Sequence, residues 1–322
     1  MTEISFFEKI NAHIRYWFDF FKMILNISRT FQNPFKLLSK SFKNDYPISV
    51  NLKNGKKIQL KSFSSIHFIS NIPKNEQIEY DTEKNNVTIY VKNRSNTNKI
   101  IFEGGLDNGD IVHTFFKKDY NQILVNERTV LDIGANIGDT SIFYALNGAK
   151  KVIGIEPFPK NYDYAQKNIQ INNFDNVITL LHSGCSSKKE IIKIDPDYQS
   201  NIESEVKNFK TGIDVPMITL QDIINKYQIP KSSVLKIDCE GCEYDIIENV
   251  SLETISYFSD IQIEYHLGYK KLKNKLESFG YTVKVSKPHA TNVILTIYNF
   301  FKCTDVKIDE KIGYAGFILA FK

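Results

Sequence analysis

Short apolar runs alternate with longer amphipathic stretches from residue 128 onward, and this alternation constrains the fold more than any other feature of the chain. Runs such as "TVLDIG", "KVIGIE" and "SVLKID" have the length of strands, and each precedes a stretch with helical spacing. Strands that are apolar throughout, and that alternate with helices, form parallel sheets covered on both faces. We therefore expect an α/β fold built on a mostly parallel sheet.

Residues 281–322 contain three strand-like runs with no helical stretch between them: "YTVKVSK", "NVILTIYNFF" and "GYAGFILAFK". This succession predicts an antiparallel edge of the sheet. Residues 195–212 are polar and aperiodic, and we expect there a loop that is mobile or acts as a lid.

A long amphipathic helix is predicted over residues 3–31, before Pro34. Its apolar residues recur at steps of three and four, as on one helical face: Phe6, Ile10, Ile14, Trp17, Phe21 and Ile24. Three partners fit such a face: the protein's own body, a second subunit in a homodimer, or a membrane surface. In the last case the protein would be peripheral at the inner membrane face.

Three segments follow from these patterns: residues 1–45, an amphipathic helical segment; 46–117, a β-rich extension; and 118–322, the domain with the parallel sheet. The extension contains Asn54-Gly55 between two strand-like runs, which indicates a hairpin.

Charge and cysteine content exclude several classes of protein. Residues 1–61 hold 11 of the 41 Lys and Arg but 4 of the 37 Asp and Glu, so the net charge of +4 comes from this segment and indicates no nucleic-acid groove elsewhere. Four cysteines in 322 residues are too few for a disulfide scaffold. The pattern of a secretory signal and a run of about 20 apolar residues are both missing. We expect a cytoplasmic protein.

The first strand–loop–helix unit, "VLDIGANIGDT", indicates a cofactor loop at the carboxyl end of a strand. It lacks the dinucleotide pattern G-x-G-x-x-G, because Asn136 and Asp139 occupy the second and third glycine positions. Acids in this loop disfavour a pyrophosphate and suit a cationic ligand without phosphate, such as S-adenosylmethionine. The candidate residues are Asp132, Gly134, Ala135, Asn136, Gly138, Asp139 and Thr140.

The next two strands end in further candidate cofactor residues. Glu156 follows Gly138 by 18 residues, the place of an acid that binds ribose hydroxyls. Pro157 and Phe158 come directly after it, and Phe158 is expected to lie along adenine. Ser183 and Gly184, at the end of the third strand, are expected to border the adenine.

The runs "VLDIGANIGDT", "GAKKVIGIEPFP", "ITLQDII", "LKIDCEGCEY" and "IQIEYH" together resemble the FkbM family of S-adenosylmethionine-dependent methyltransferases, in order and spacing, over about residues 118–285. The resemblance implies a class I, Rossmann-like sheet of seven strands with the last strand antiparallel. It also implies methylation of an oxygen, often on sugar or natural-product hydroxyls. Two stretches depart from the family: "HSGCSS" lacks an acid, and Gln221 replaces the first Asp of its motif.

Four polar residues at the ends of two strands are the candidate catalytic residues: Asp238, Glu240, Glu264 and His266. Methyl transfer to a hydroxyl gains from a positioned base, and an imidazole titrates near neutral pH. We assign His266 as the base and expect Glu264 to orient it or to bind a sugar hydroxyl. Asp238 and Glu240 would bind the acceptor or the methionine ammonium. A divalent metal held by the same four residues is the alternative.

The C-x-x-C formed by Cys239 and Cys242 is not expected to be a zinc or redox site. A zinc site needs four ligands, and the other two cysteines stand apart in the sequence. We expect two free, half-buried thiols.

Three other functions remain to be distinguished. The broken glycine pattern disfavours a nicotinamide-dependent oxidoreductase, and "DCEG" stands where an amino-methylating nucleic-acid enzyme would have an Asn/Asp-Pro-Pro-aromatic loop. A catalytically silent cofactor-binding or membrane-scaffold protein would keep the loop and the helix but would not need Glu264 or His266. The expected partner is a hydroxylated small molecule or glycan, not a nucleic acid.

Overall fold

A computed structural model describes residues 4–73, 76–93, 96–107, 110–117, 119–196, 209–291 and 313–322. The predicted strand "NVILTIYNFF" and most of the predicted loop 195–212 lie outside these residues.

The first part of the chain forms three α-helices, a π-helix and a set of antiparallel strands. Ser5 and Glu8 cap the first helix reciprocally, and Pro34 begins the second. Asn54-Gly55 connects a hairpin, as predicted. In chain order the elements are α1 Phe6–Thr30, α2 Pro34–Phe42, β1 Ile48–Asn51, β2 Lys57–Leu60, α3 Phe63–Asn71, β3 Ile78–Asp81, β4 Asn86–Asn93, β5 Asn96–Glu103 and a π-helix Val112–Lys117.

Strands and helices alternate in the remainder, as the sequence pattern predicts. The strands are β6 Thr129–Ile133, β7 Lys151–Glu156, β8 Ile178–His182, β9 Gly184–Cys185, β10 Glu190–Ile194, β11 Ile213–Ile218, β12 Ser233–Ile237, β13 Phe258–Tyr265, β14 Thr282–Val285, β15 His289–Ala290 and β16 Tyr314–Phe321. The helices are α4 Asp139–Leu146, α5 Pro159–Ile171, α6 Leu220–Tyr227, α7 Cys242–Asn249, α8 Leu252–Ile255 and α9 Lys270–Ser278.

Seven strands form the central sheet in the order β14-β16-β13-β12-β6-β7-β8, and β15 pairs with β16 beside them. Neighbours pair in parallel except at β16, which is antiparallel to both β13 and β14. The predicted Rossmann-like sheet of seven strands, mostly parallel with the last strand antiparallel, is confirmed.

The described strands of the tail, β14 and β16, form an antiparallel edge of the sheet, as predicted. The strand β16 lies between β13 and β14, so β14 is the edge strand. Ile318 and Ala320 of β16 are buried, and burial of these apolar side chains favours an interior position for the strand.

The extension and the central sheet share one hydrophobic core. A continuous buried cluster includes Phe31, Leu60, Phe102, Val130 and Val234. Helix α5 also binds the edge of β5 through two side-chain amides. Asn168 and Asn172 each accept a hydrogen bond from one backbone N–H of β5 and donate one to a carbonyl, at 2.7 to 3.0 Å. The extension is thereby held against the part of the chain that carries the cofactor loop.

The apolar face of α1 is largely exposed to solvent. Eight large apolar side chains of this helix are between 37% and 75% exposed: Phe6, Phe7, Ile10, Ile14, Trp17, Phe18, Phe21 and Leu25. Its opposite face contacts the protein through residues such as Ala12 and Ile27, which are buried. Among the described residues, no helix is both long and apolar enough to cross a membrane.

Candidate active site

The carboxyl ends of β6, β12 and β13 meet at one edge of the central sheet. Ile237 pairs with Ile133 on one side and with Ile263 on the other. The residues that follow, Gly134, Asp238 and Glu264, therefore lie side by side. In an open parallel sheet this edge is where ligands bind.

The glycine loop packs directly against the end of β12. A Cβ atom on Gly134 would lie 1.7 Å from the carbonyl oxygen of Asp238, and its φ of +80° is left-handed. Gly138, with φ +84°, begins helix α4. Both positions therefore require glycine. The backbone N–H groups of Gly134 and Ala135 donate to the carbonyl of Ile155, which fixes the loop against β7.

The acids of this loop are directed into the protein. Asp132 is fully buried; its Oδ2 accepts hydrogen bonds from Thr140 and Ser141, and its Oδ1 lies 3.1 Å from the Nζ of Lys236. Asp139 is buried as well and accepts a hydrogen bond from Thr114, while burial raises its pKa to about 7. In this structure Asp132, Asp139 and Thr140 hold the loop in place.

The Nζ of buried Lys236 connects the glycine loop with the strand ends. It donates to the carbonyl of Gly134 at 2.7 Å, and it also lies 3.8 Å from Asp238. Burial alone would lower the pKa of Lys236, but the charges of Asp132 and Asp238 raise it above the ordinary lysine value. Lys236 therefore stays cationic between carboxylates, which offsets the cost of burying them.

The carboxylate of Glu156 binds backbone amides at the end of β7. One oxygen accepts from the N–H of Asn136 and the other from the N–H of Phe158, both at 2.9 Å. Burial raises its pKa to about 8. Its position between the glycine loop and Phe158 is the one predicted for a ribose-binding acid.

Pro157 and Gly184 line a narrow space of about 20 Å³ beside Gly134. Ligand pockets usually enclose about 300–1,000 Å³. The side chain of Met217 lies against Gly184, and Phe158 packs in the same apolar cluster as Met217. The hydroxyl of Ser183 is buried at this strand end without a hydrogen-bond partner among the described residues. A nucleoside bound here could form a hydrogen bond with the hydroxyl of Ser183, but the side chain of Met217 would have to move.

His266 lies among three carboxylates. Its Nδ1 is 3.0 Å from Glu243, and its Nε2 is 3.3 Å from Glu240 and 3.9 Å from Asp238. Burial alone would lower the pKa of His266, but the hydrogen bond to Glu243 and the charges of Glu240, Glu243 and Asp238 raise it to about 10. The imidazole is therefore cationic at neutral pH.

Glu264 has a different neighbour from the one expected. Its Oε2 accepts a hydrogen bond from the hydroxyl of Tyr120 at 3.3 Å, and the same hydroxyl donates to Asp238 at 2.9 Å. Burial and the charge of Asp238 raise the pKa of Glu264 well above its ordinary value. Glu243 takes the role of orienting His266 that the sequence suggested for Glu264.

The side chains of Asp238, Glu240 and His266 could also hold a divalent cation. Each offers one ligand atom, and these atoms lie within 4.8 Å of one another. The Glu243–His266 contact is the carboxylate–histidine pair that often supports a metal ligand.

Cys239 and Cys242 form a disulfide bond, so the expectation of two free thiols is wrong. Glu240 and Gly241 both have positive φ, and this turn leaves the two Cα atoms 5.5 Å apart, within the range for a disulfide.

A cavity of about 220 Å³ opens beside Glu264 and Tyr120, between the extension and the central sheet. We call it the acceptor cavity. It is lined by Ser64, His67, Phe68, Leu106, Asp110, Val112, His113, Asp119, Tyr120, Glu264 and Phe317. Most of its polar groups come from α3, from the π-helix and from the residues around it, so the extension forms one wall of the candidate site.

Sequence reasoning missed Glu243, Lys236 and Tyr120 as parts of the site. Glu243 comes four residues after the start of the "CEGCEY" turn and was within reach of a pattern argument, because it begins a helix next to candidate acids. Lys236 carried a signal too, as the one charged residue within the apolar strand Ser233–Ile237. Tyr120 carried none, since it is 118 residues from Asp238 in sequence.

Comparison with known proteins shows similarities to methyltransferases. Residues 132–283 match the model of the methyltransferase FkbM domain. The chain is 32% identical to protein arginine N-methyltransferase 1 of Dictyostelium discoideum over 115 residues, which are 36% of this chain and 32% of the relative. It is 22% identical to hexuronic acid methyltransferase AglP of Haloferax volcanii over 139 residues, 42% of this chain and 55% of the relative.

Among solved structures, the chain matches the methyltransferase FkbM of Methylobacillus flagellatus with 17% identity, a TM-score of 0.41, and coverage of 67% of this chain and 48% of that one. The chain spans less than two thirds of the length of both curated relatives. Residues 132–283 of this chain, which contain the glycine loop and the cluster around His266, are similar to the methyltransferase FkbM domain.

Proposed function

We propose that this protein is an S-adenosylmethionine-dependent O-methyltransferase that acts on a hydroxyl group held in the acceptor cavity. The observation that carries the proposal is the position of Glu264 and Tyr120. They line the cavity, and Tyr120 also binds Asp238, which lies against the glycine loop. An acceptor in the cavity would thus be next to the end of the sheet at which this fold binds ligands.

The residues around the glycine loop fit the cofactor chemically. Gly134, Ala135, Asn136 and Gly138 would let it approach the backbone, Glu156 would accept hydrogen bonds from its ribose, and Asp238 or Glu240 would face its cationic end. Pro157, Phe158, Ser183 and Gly184 would surround the adenine, with the buried Ser183 hydroxyl as a hydrogen-bond donor. When bound, S-adenosylmethionine supplies an electrophilic methyl group for in-line displacement by the acceptor oxygen.

The acceptor cavity favours a small, uncharged, hydroxyl-rich ring. Its volume of about 220 Å³ suits one sugar ring better than a longer glycan. Phe68 and Phe317 offer apolar faces, whereas Asp110, Asp119 and Tyr120 offer hydrogen-bonding groups. An anionic ring such as a hexuronic acid would meet carboxylates there, so we expect a neutral sugar or a similar natural-product hydroxyl in preference to the substrate named for the Haloferax relative.

His266 is the proposed base. His266 is not among the residues that line the acceptor cavity, so the acceptor hydroxyl would have to extend past Glu264 to reach Nε2. There the neutral form of His266 would accept the hydroxyl proton, and Asp238 and Glu240 would stabilise the imidazolium that results. Since the pKa of His266 is raised to about 10, His266 is protonated in most molecules at neutral pH. The neutral fraction grows as the pH rises from 7 toward 10, so the rate of methyl transfer should rise with it. Glu264, with its raised pKa, would donate a hydrogen bond to a second hydroxyl of the ring.

The test is transfer of a radiolabelled methyl group to a panel of neutral sugars, uronic acids and hydroxylated natural products. The wild type is compared with His266→Ala and with His13→Ala, a histidine substitution on α1, where the imidazole contacts Tyr314. We expect His266→Ala to slow transfer about a hundredfold or more and His13→Ala to leave the rate unchanged.

Equal rates for wild type and His266→Ala would remove His266 as the base, and transfer to no acceptor would favour the silent cofactor-binding alternative. Treatment with EDTA distinguishes a histidine base from a divalent-metal site at the same residues. With His266 as the base, EDTA leaves the rate of methyl transfer unchanged. A loss of activity that Mg²⁺ or Mn²⁺ restores would show that Asp238, Glu240 and His266 bind a metal.

A further inference from the structure

The exposed apolar face of α1 is unusual because it is wide and aromatic. At 100° per residue, its eight exposed apolar side chains, from Phe6 to Leu25, fall within about a third of the helix circumference. Five of the eight are Phe or Trp. Helix α2 carries two exposed rings of its own, Phe35 and Phe42, at 82% and 60% exposure. A wide exposed apolar face such as that of α1 marks a surface that binds a partner.

The acidic residues of α1 are directed away from this face. Glu8 accepts a hydrogen bond from the hydroxyl of Tyr269 at 2.6 Å, and Asp19 lies 3.5 Å from His289. Both acids therefore contact other residues of the same chain, on the side of α1 opposite the apolar face. No acid of α1 lies on the apolar face, although the composition of the helix includes two.

At 100° per residue, two exposed basic residues of α1, Lys22 and Arg29, border the same face. Lys36 on α2 and Lys43 directly after α2 are exposed as well. Cations beside an aromatic face are complementary to anionic lipid headgroups above an acyl layer. They would repel one another across a symmetric contact with a second copy. The face is also wider than the seam of a two-stranded coiled coil, which uses Leu and Ile at two positions per heptad.

We propose that α1 and α2 form a docking surface for a membrane leaflet that contains anionic lipids, with the apolar side chains in the acyl boundary and the four cations at the headgroups. The proposal is independent of the proposed function, because none of the residues that line the acceptor cavity lies on α1 or α2. Helix α1 packs on α3, which carries His67 and Phe68 of the cavity. Docking would therefore hold the acceptor cavity near the membrane surface.

The test is flotation of the full chain with vesicles of phosphatidylcholine alone or with phosphatidylglycerol. We expect binding to the mixed vesicles, and a partition coefficient lowered about tenfold or more by Phe18→Glu with Phe21→Glu. Lys22→Gln with Arg29→Gln should lower it about tenfold on the mixed vesicles only. Leu124→Glu changes an 84% exposed leucine outside the helices and serves as the control, with no expected effect.

Thermal unfolding of each variant shows that it is folded. Binding that the Phe18 and Phe21 changes leave unaltered would overturn the proposal. So would a wild type that does not float but elutes as a dimer which these two changes dissociate; that result would assign the face to a second copy. A protein that transfers methyl groups but does not float would contradict only the membrane-docking proposal. A protein that floats but transfers no methyl group would contradict only the proposed function.

Discussion

The Nδ1 atom of His266 lies 3.0 Å from Oε1 of Glu243, a fully buried carboxylate at the start of α7. The second oxygen of Glu243 accepts a hydrogen bond from the N–H of Gly241 at 2.8 Å, which fixes its orientation. The imidazole is thereby turned so that its other nitrogen faces Asp238 and Glu240. This relationship defines the direction in which His266 could exchange a proton.

Glu243→Gln should lower the pKa of His266, because it keeps the shape of the side chain but removes the charge and the charged hydrogen bond that raise that pKa. We expect the pKa of His266 to fall from about 10 by roughly one unit or more. Titration of the His266 imidazole nitrogens by NMR measures it in the protein alone, without an acceptor. Glu248→Gln, on the same helix but half exposed, is the matched control. An unchanged pKa in Glu243→Gln would contradict the role given to this contact.

His266→Gln should cost more stability at pH 6 than at pH 10. A histidine whose folded pKa is raised from 6.5 to about 10 contributes stability that is fully present below pH 6.5 and is lost as the pH rises through about 10. We expect the loss in free energy of unfolding to differ by on the order of 2 kcal/mol between the two pH values, measured by urea unfolding.

His67→Gln provides the control for this pH dependence. Burial lowers the pKa of His67 to about 4, so between pH 10 and pH 6 only its unfolded state takes up a proton. His67→Gln should therefore cost slightly less stability at pH 6 than at pH 10, a change of opposite sign to that of His266→Gln. A cost of His266→Gln that is equal at both pH values, or lower at pH 6, would show that the carboxylates do not hold an imidazolium.

Tyr120→Phe should lower methyl transfer about tenfold to a hundredfold, since it leaves the carboxylates of Asp238 and Glu264 without the shared hydroxyl that holds them at the cavity. Tyr90→Phe also removes a tyrosine hydroxyl that donates to a glutamate, but at an exposed place in the extension. Steady-state rates of both variants, at saturating cofactor, make the comparison. Equal rates in the two would show that Tyr120 is a packing residue.

Gly134→Ala should destabilise the protein far more than Gly280→Ala. Both glycines have a φ near +80°, so both changes carry the same left-handed strain of about 1 kcal/mol. Only at Gly134 would the new methyl group meet the carbonyl of Asp238, whereas nothing lies within 4 Å at Gly280. Thermal unfolding of the two variants measures the difference. Equal shifts in Tm would mean that the glycine loop is not packed on β12 as described.

The sheet and its helices could be predicted from sequence because they depend on local periodicity. The strand "SVLKID" and the helix after it are visible in a window of a few residues. The place of β16 could not be predicted, since its pairing with β13 and β14 depends on residues about 30 to 60 positions away. An apolar run looks the same at an edge and between two strands.

The candidate site shows the same limit. The ends of β6, β12 and β13 were predictable, because a parallel sheet aligns its carboxyl ends, and this placed Asp238, Glu264 and His266 together. The choice of Glu243 over Glu264 as the partner of His266 depends on how α7 leaves the turn, where Glu240 adopts a left-handed φ of +54° that no local pattern indicates. The stripe on α1 was predictable as well, but its exposure depends on what the rest of the protein leaves uncovered.

Isothermal titration calorimetry of the full chain with S-adenosylmethionine and, separately, with NAD tests the central claim most directly, since it needs no knowledge of the acceptor. The account predicts one S-adenosylmethionine bound per chain, no heat from NAD, and weaker cofactor binding when Glu156→Gln removes the carboxylate beside the glycine loop. Binding of NAD without binding of S-adenosylmethionine would contradict the account.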